Sequence, residues 1–159
     1  MRRVGSADPP VPRLHRLLAS GAFAFALCFD AAGAQGLFAV NQPWVRPGAR
    51  ATEAYMVLNS TSGATLIGVR SSVAGRASLL GARGRTVPAL ALPAGRSVTL
   101  RPSGERIALA RLAHPLKVGE RVPLLLTIET AEGTRQEIAV DAEVRNTWPV
   151  EAELRAHRH

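Results

Sequence analysis

The chain has 159 residues, of which 20 are basic and 12 acidic, with one cysteine and a formal net charge of +8 at pH 7. This length fits one domain built around one hydrophobic core. The basic residues are spread along the chain, which argues against a nucleic-acid-binding stripe and favours a solvated face, with contact to anionic lipid or acidic partners as the alternative.

The first 34 residues predict a secretory signal peptide. Arg2, Arg3, Arg13 and Arg16 precede an apolar run at 17–29, and Ala32-Gly33-Ala34 forms a small-x-small cleavage site. Basic, apolar and small residues in this order are typical of export signals, and the run is shorter than the about 20 residues that span a bilayer. We therefore expect cleavage near Ala34, a periplasmic protein and no transmembrane segment in the mature chain.

Cys28 is the only cysteine and lies inside the apolar run. A lipid-attachment site needs a small residue just before the cysteine, whereas Leu27 stands there. We expect Cys28 to be removed with the signal, which leaves no disulfide and no thiolate ligand in the mature chain.

The rest of the chain reads as strand after strand, separated by turn residues such as Pro47-Gly48, Ala74-Gly75 and Pro102-Ser103-Gly104. Short alternating segments at this spacing predict an all-β, antiparallel sandwich or barrel in a single domain at 35–145. The predicted strands are 38–46, 52–59, 65–71, 76–80, 87–92, 97–101, 105–112, 122–128 and 134–144. We expect residues 146–159 to form a flexible tail.

The last two predicted strands show the clearest alternation. Val122, Leu124, Leu126 and Ile128 are predicted to face the core, and so are Ile138, Val140, Ala142 and Val144 on the next strand. The acidic residues between the latter four are predicted to face solvent.

Three stretches of the chain stand out as motifs. They are Trp44-Val45-Arg46 with Ala54-Tyr55-Met56-Val57-Leu58-Asn59, then Leu92-Pro93-Ala94-Gly95 with Leu100-Arg101-Pro102-Ser103-Gly104, then Leu112-Ala113-His114-Pro115-Leu116-Lys117-Val118-Gly119-Glu120 with Val122-Pro123-Leu124. In an order and spacing that run from Trp44 to about Val144, these stretches resemble the periplasmic copper chaperones of the PCu(A)C family.

The resemblance implies a cupredoxin-like barrel or sandwich. It also implies one Cu(I) ion between two histidines and two methionines at a rim of the barrel, because imidazole and thioether suit the soft ion. The implied role is copper delivery, and the implied partners belong to cytochrome oxidase assembly or are other copper-handling proteins.

This sequence departs from the family at each implied ligand position. Leu80 and Arg106 stand where the resemblance places the histidines, and Ala108 stands where it places one methionine. The segment Arg83-Gly84-Arg85-Thr86 contains no methionine for the remaining position. We therefore predict that the core Cu(I) site is lost and that the charge of Arg106 opposes any cation there.

Few other metal ligands follow the signal. Met56 is predicted to fill the core, and His114 to lie in a surface loop. His157 and His159 close the chain, and two imidazoles with the terminal carboxylate form a weak candidate metal site in the tail, with a solvated tail as the alternative.

The sequence offers no nucleophile–histidine–acid arrangement, so we do not expect an enzyme. Two hypotheses remain. The first is a copper-chaperone-like exported protein whose core site is lost, with copper bound, if at all, through the tail. The second is a metal-free β-scaffold that binds a protein partner or the envelope surface.

Overall fold

The computed structural model describes residues 37–147, and these residues lie within one compact unit. Eight of the predicted strands are confirmed with shifts of one or two residues at their ends, whereas the strand predicted at 87–92 begins only at Leu90. Pro88, which has no amide hydrogen to donate to a ladder, lies in the part that is not strand. Within residues 37–147 the chain forms nine strands and no helix. They are β1 (Phe38–Val45), β2 (Ala51–Ser60), β3 (Ala64–Ser71), β4 (Ala74–Leu80), β5 (Leu90–Leu92), β6 (Arg96–Leu100), β7 (Arg106–Leu112), β8 (Arg121–Thr130) and β9 (Arg135–Val144). The predicted signal peptide and Cys28 lie outside the described residues.

All nine strands belong to one sheet that curls into a nearly closed barrel. Its order is β4-β7-β2-β1-β9-β8-β3-β5, and β6 pairs with β2. The pairs are antiparallel except for β1 and β9, which run parallel where Trp44 and Val45 meet Glu143 and Val144. The structure thus confirms the predicted all-β, cupredoxin-like fold.

The core follows the alternation of the last two strands. Val122, Leu124, Leu126 and Ile128 are buried on β8. On β9, Val140, Ala142 and Val144 are buried and Ile138 is partly buried against the same cluster. Full burial of such side chains contributes about 1.5–3 kcal/mol each, so this hairpin supplies much of the stabilising surface.

The predicted break at Ala74-Gly75 is wrong, because both residues lie in β4. The chain turns earlier, where the Ser71 hydroxyl accepts a hydrogen bond from the Val73 amide at 3.4 Å and donates one to the Pro123 carbonyl at 2.7 Å. A serine hydroxyl can replace a backbone group in a turn in this way. Gly75 instead permits close packing, since a Cβ there would lie 3.1 Å from the Cβ of Arg111.

Strands β6 and β7 lie end to end along the same side of β2. Residues Met56 to Ser60 of β2 pair with β6, and Ala51 to Ala54 pair with β7. The loop 101–105 leaves the sheet between them, at the level of Tyr55. This interruption places the loop directly beside the first residue of β7, Arg106.

Candidate functional site

The structure brings Leu80, Arg106 and Ala108 together on adjacent strands. Leu80 at the end of β4 is the cross-strand partner of Arg106 at the start of β7. Ala108 lies opposite Ser78 on β4 and opposite Glu53 on β2. Because directly opposed residues share one face of a sheet, these side chains form one small surface across β4, β7 and β2.

The loop after β4, residues 81–86, folds back to the same place. The Gly81 amide donates to the Arg85 carbonyl at 2.9 Å, and Thr86 forms a bridge with Leu80. Gly84 has a φ of 73°, and a Cβ there would lie 3.3 Å from Nη2 of Arg106. The segment in which the resemblance implies a methionine therefore passes close to the Arg106 guanidinium.

Arg106 is held by groups on two sides. Its Nε donates to Oε1 of Glu53 at 2.7 Å, and its Nη1 donates to the Gly104 carbonyl at 2.8 Å. The Tyr55 hydroxyl donates to the other carboxylate oxygen of Glu53 at 2.5 Å. The side chains of Arg106 and Glu53 are only 17% and 32% exposed. We call Arg106, Glu53 and Tyr55 the Arg106 cluster.

The cluster shifts the proton affinities of two of its members. Partial burial opposes ionisation of Glu53, but the hydrogen bonds from Tyr55 and Arg106, with the charges of Arg106 and Arg46, outweigh it and lower the pKa of this carboxyl. Burial, reinforced by the hydrogen bond to Glu53, raises the pKa of Tyr55 to about 12. Glu53 is thus kept as an anion and Tyr55 as a neutral donor at neutral pH.

A second apolar cluster supports these polar groups outside the main core. Tyr55 is fully buried and its ring packs on Trp44, with ring centroids 4.7 Å apart. Beside this pair lies an open groove of about 540 Å³. Its lining residues are Trp44, Arg46, Thr99, Arg101, Pro102, Asn146 and Thr147. No acidic residue is among them.

A family model called LpqE-like, which describes lipoproteins, matches residues 38–144, more than half of the chain. The chain belongs to the LpqE-like family. Membership of a lipoprotein family agrees with the predicted export. The prediction that Cys28 is not a lipid-attachment site concerns a residue outside the described range and stays a prediction. The chain matches none of the curated proteins with which it was compared.

Solved structures place this LpqE-like chain among PCuAC domains. The Cu(I) form of DR1885 from Deinococcus radiodurans is 31% identical with a TM-score of 0.57, over 73% of this chain and 84% of that one. The copper-bound PCuAC domain of PmoF2 is 25% identical with a TM-score of 0.59, over 69% and 93%. The apo PCuAC domain of PmoF1, at 24% identity over 69% and 94%, shares the fold with a TM-score of 0.62. The resemblance inferred from the sequence is confirmed.

The remaining candidate ligands lie apart from the Arg106 cluster or outside the described range. Met56 is fully buried in the core, and His114 is 53% exposed in a loop, with its Nε2 3.4 Å from Oε2 of Glu120. Both placements confirm the predictions. Within residues 37–147, no three His, Cys, Asp or Glu side chains group as a metal site would require. His157 and His159 lie outside the described residues.

The sequence pointed to Arg106 but not to its partners. Glu53 is the only acidic residue of β2 and precedes Tyr55 by two positions, so the two share a face. A single carboxylate in this strand was the available signal. What could not be read from the sequence was that β7 pairs with β2, which places Arg106 beside that carboxylate.

Residues 37–147 contain no helix with the length and hydrophobicity needed to cross a bilayer.

Proposed function

We propose that this protein is an exported, copper-chaperone-like member of its family in which the Arg106 cluster has replaced the core Cu(I) site. The observation that carries the proposal is the pairing of Leu80 with Arg106, whose guanidinium is bound to Glu53 at 2.7 Å. A cation already occupies this place, and it is part of the polypeptide.

The chemistry of the side chains supports the loss of the site. Leucine and alanine carry no lone pair, and an arginine guanidinium keeps its proton and offers none. A metal ion beside Arg106 would also meet a like charge, and the repulsion grows as the surroundings become drier. Glu53 is an oxygen ligand, which suits harder ions than Cu(I), and Arg106 already occupies one of its oxygens.

The proposal keeps a role in copper handling and assigns no catalytic residue. The partners would be proteins of cytochrome oxidase assembly or other copper-handling proteins, and the location would be the periplasm after cleavage near Ala34. If copper is bound, His157 and His159 hold it as Cu(II), because imidazole and carboxylate favour the oxidised ion. Intact mass of the protein from the envelope fraction tests the cleavage, and a chain that retains residues 17–29 contradicts it.

Rebuilding the implied site tests the assignment of positions. The variant carries Leu80→His, Arg106→His, Ala108→Met and Arg85→Met, which restores two imidazoles and two thioethers at one rim. We expect it to take up one Cu(I) per chain, while the natural protein takes up none outside its tail. A matched variant with the same four residue types placed on exposed positions of β9 should take up no Cu(I) through them. Equal Cu(I) uptake by both variants contradicts the assignment.

A metal-free binding scaffold is the second candidate, and the arginines around the Arg106 cluster favour it. Arg83 and Arg85 are exposed and make no ion pair with any described residue. Such a surface is suited to an anionic partner and not to a metal ion. The two candidates differ in whether the purified mature protein takes up copper.

A further inference from the structure

The charges of the described chain are distributed unevenly between two regions. Residues 74–86 and 101–112, which cover β4, β7 and their loops, contain six arginines and one glutamate. Residues 121–145, which cover β8 and β9, contain three arginines and five acidic residues. The basic excess is therefore local, and it surrounds the Arg106 cluster.

Two loops present exposed arginines on either side of Arg106. Loop 81–86 carries Arg83 and Arg85 and reaches Arg106 through Gly84, while loop 101–105 carries Arg101 and reaches it through the Gly104 carbonyl. All three arginines are exposed, and none forms an ion pair within residues 37–147. We call Arg83, Arg85 and Arg101 the arginine rim.

The backbone holds the arginine rim in place. In loop 81–86, the Gly84 amide donates to the Gly81 carbonyl at 2.8 Å and the Gly81 amide to the Arg85 carbonyl at 2.9 Å. In loop 101–105, the Arg101 amide donates to the Glu105 carbonyl at 2.9 Å. Guanidinium groups on fixed backbones suit bidentate recognition of carboxylates, because less conformational freedom is lost on binding.

The groove beside Arg101 extends this basic surface. Arg101 and Arg46 line it together with the apolar faces of Trp44 and Pro102. A chain segment with carboxylates and short apolar side chains would find both guanidinium donors and an apolar floor there.

We propose that the arginine rim and this groove bind an acidic segment of a partner protein. A membrane surface fits less well, because the exposed large hydrophobic residues of the described chain, Leu37 and Val118, lie on neither loop and offer no apolar insertion there. The inference rests on the proposed loss of the core copper site, since a surface that collects guanidinium groups repels a metal ion.

A labelled acidic peptide tests the proposal. The mature protein is titrated into a fluorescein-labelled peptide of alternating glutamate and glycine in copper-free buffer, and anisotropy reports binding. The variant Arg83→Ala/Arg85→Ala/Arg101→Ala should bind about tenfold more weakly, since each exposed ion pair contributes modestly. Raising the salt concentration to about 0.15 M should weaken peptide binding by the natural protein and should weaken binding by the variant less. A peptide with glutamine in place of glutamate should not bind.

A matched variant controls for total charge. Three exposed arginines that lie away from these loops and make no described ion pair are replaced by alanine; they are Arg50, Arg96 and Arg121. We expect this variant to bind the peptide within about twofold of the natural protein. Should the rim triple variant fail to fold, Arg83→Gln/Arg85→Gln, which keeps long side chains, should still lose about fivefold.

Three results would overturn the proposal. The first is that the natural protein does not bind the peptide at low salt, and the second is that the rim and control variants lose equal peptide affinity. The third is that the rim variant loses binding to phosphatidylglycerol vesicles while its peptide affinity is unchanged. The last result would assign the rim to a membrane surface. None of the three depends on Cu(I), and the variants keep Arg106. A failure here therefore leaves the proposed loss of the copper site to be judged by its own Cu(I) titration.

Discussion

The β3–β8–β9 side of the barrel and the β4–β7 side are built from similar strands but treat their charges differently. Arg70 pairs with Glu137, and Arg135 with Glu129, on the first side. On the second, Arg106 alone has a carboxylate partner among the described residues, and that pair is largely shielded from solvent. The first side neutralises exposed charges by pairing them, whereas the second retains unpaired charge around a small polar cluster.

The largest expected difference between the two sides lies in their apolar residues. Leu126→Ala on β8 should lower the free energy of unfolding by about 2–5 kcal/mol, because the side chain is fully buried in the core. Leu80→Ala at the end of β4 should lower the free energy of unfolding by about 1 kcal/mol, since Leu80 is only partly buried. Urea denaturation of the mature chain measures both. Equal losses would show that Leu80 contributes as much to the free energy of unfolding as Leu126 does.

The Arg106 cluster should respond to the loss of its cation. Arg106→Met leaves the Glu53 carboxylate partly buried without its main partner, and we expect a loss of about 1–3 kcal/mol. Adding Glu53→Gln should recover part of this loss, because the unpaired charge disappears. The coupling from the double-mutant cycle, measured by urea denaturation, should be about 1 kcal/mol. Strict additivity of the two changes would show that the ion pair is not a unit.

High pH should weaken the natural protein through Tyr55. Its pKa of about 12 in the folded protein exceeds the ordinary value of 10.0, so its contribution is complete below pH 10 and is lost as the pH rises toward 12. At pH 8, Tyr55→Phe should be about 1 kcal/mol less stable, because the hydrogen bond to Glu53 is missing. The difference should shrink between pH 10 and 12.

Ultraviolet titration checks this prediction directly, because Tyr55 is the only tyrosine of the chain. Tyrosinate absorbance should appear well above pH 10 in the folded protein and near pH 10 in urea. Appearance near pH 10 in both states would contradict the buried hydrogen bond. Glu53 acts at the opposite end of the scale: its lowered pKa gives a contribution that is present above pH 4.5 and lost as the pH falls through the folded value.

The smallest effect should come from the exposed pair on the first side. Arg70 and Glu137 are 67% and 51% exposed, so Arg70→Ala should change the free energy of unfolding by about 0.5 kcal/mol or less. Urea denaturation at low and high salt measures it, and the small effect should vanish at high salt. A loss comparable to that of Arg106→Met would remove the distinction between the two sides.

The strands were predictable because their alternation is local. Strand β8 is revealed by Val122, Leu124, Leu126 and Ile128 without knowledge of its neighbours. Turn residues mark where most of the surrounding strands begin and end. The break after β3 was predicted at Ala74-Gly75, two to three residues too late, because the turn depends on a side-chain hydrogen bond from Ser71 to Pro123, which lies 52 residues away. Two-residue periodicity carries no information on such contacts.

The candidate site was predictable only in part. The resemblance singled out Leu80, Arg106 and Ala108, and the structure places them side by side. The partnership of Arg106 with Glu53 joins residues 53 positions apart and follows from the pairing of β2 with β7. The arginine rim likewise depends on two loops that both approach Arg106 only in the folded barrel.

The central claim is that the barrel has exchanged its copper ion for the Arg106 cluster. A Cu(I) competition titration with a chromophoric chelator tests it most directly, performed on the mature chain carrying His157→Ala and His159→Ala so that the tail imidazoles contribute nothing. We predict that the chelator keeps all of its Cu(I) at every protein concentration. Tight uptake of one Cu(I) per chain by this variant would contradict the account.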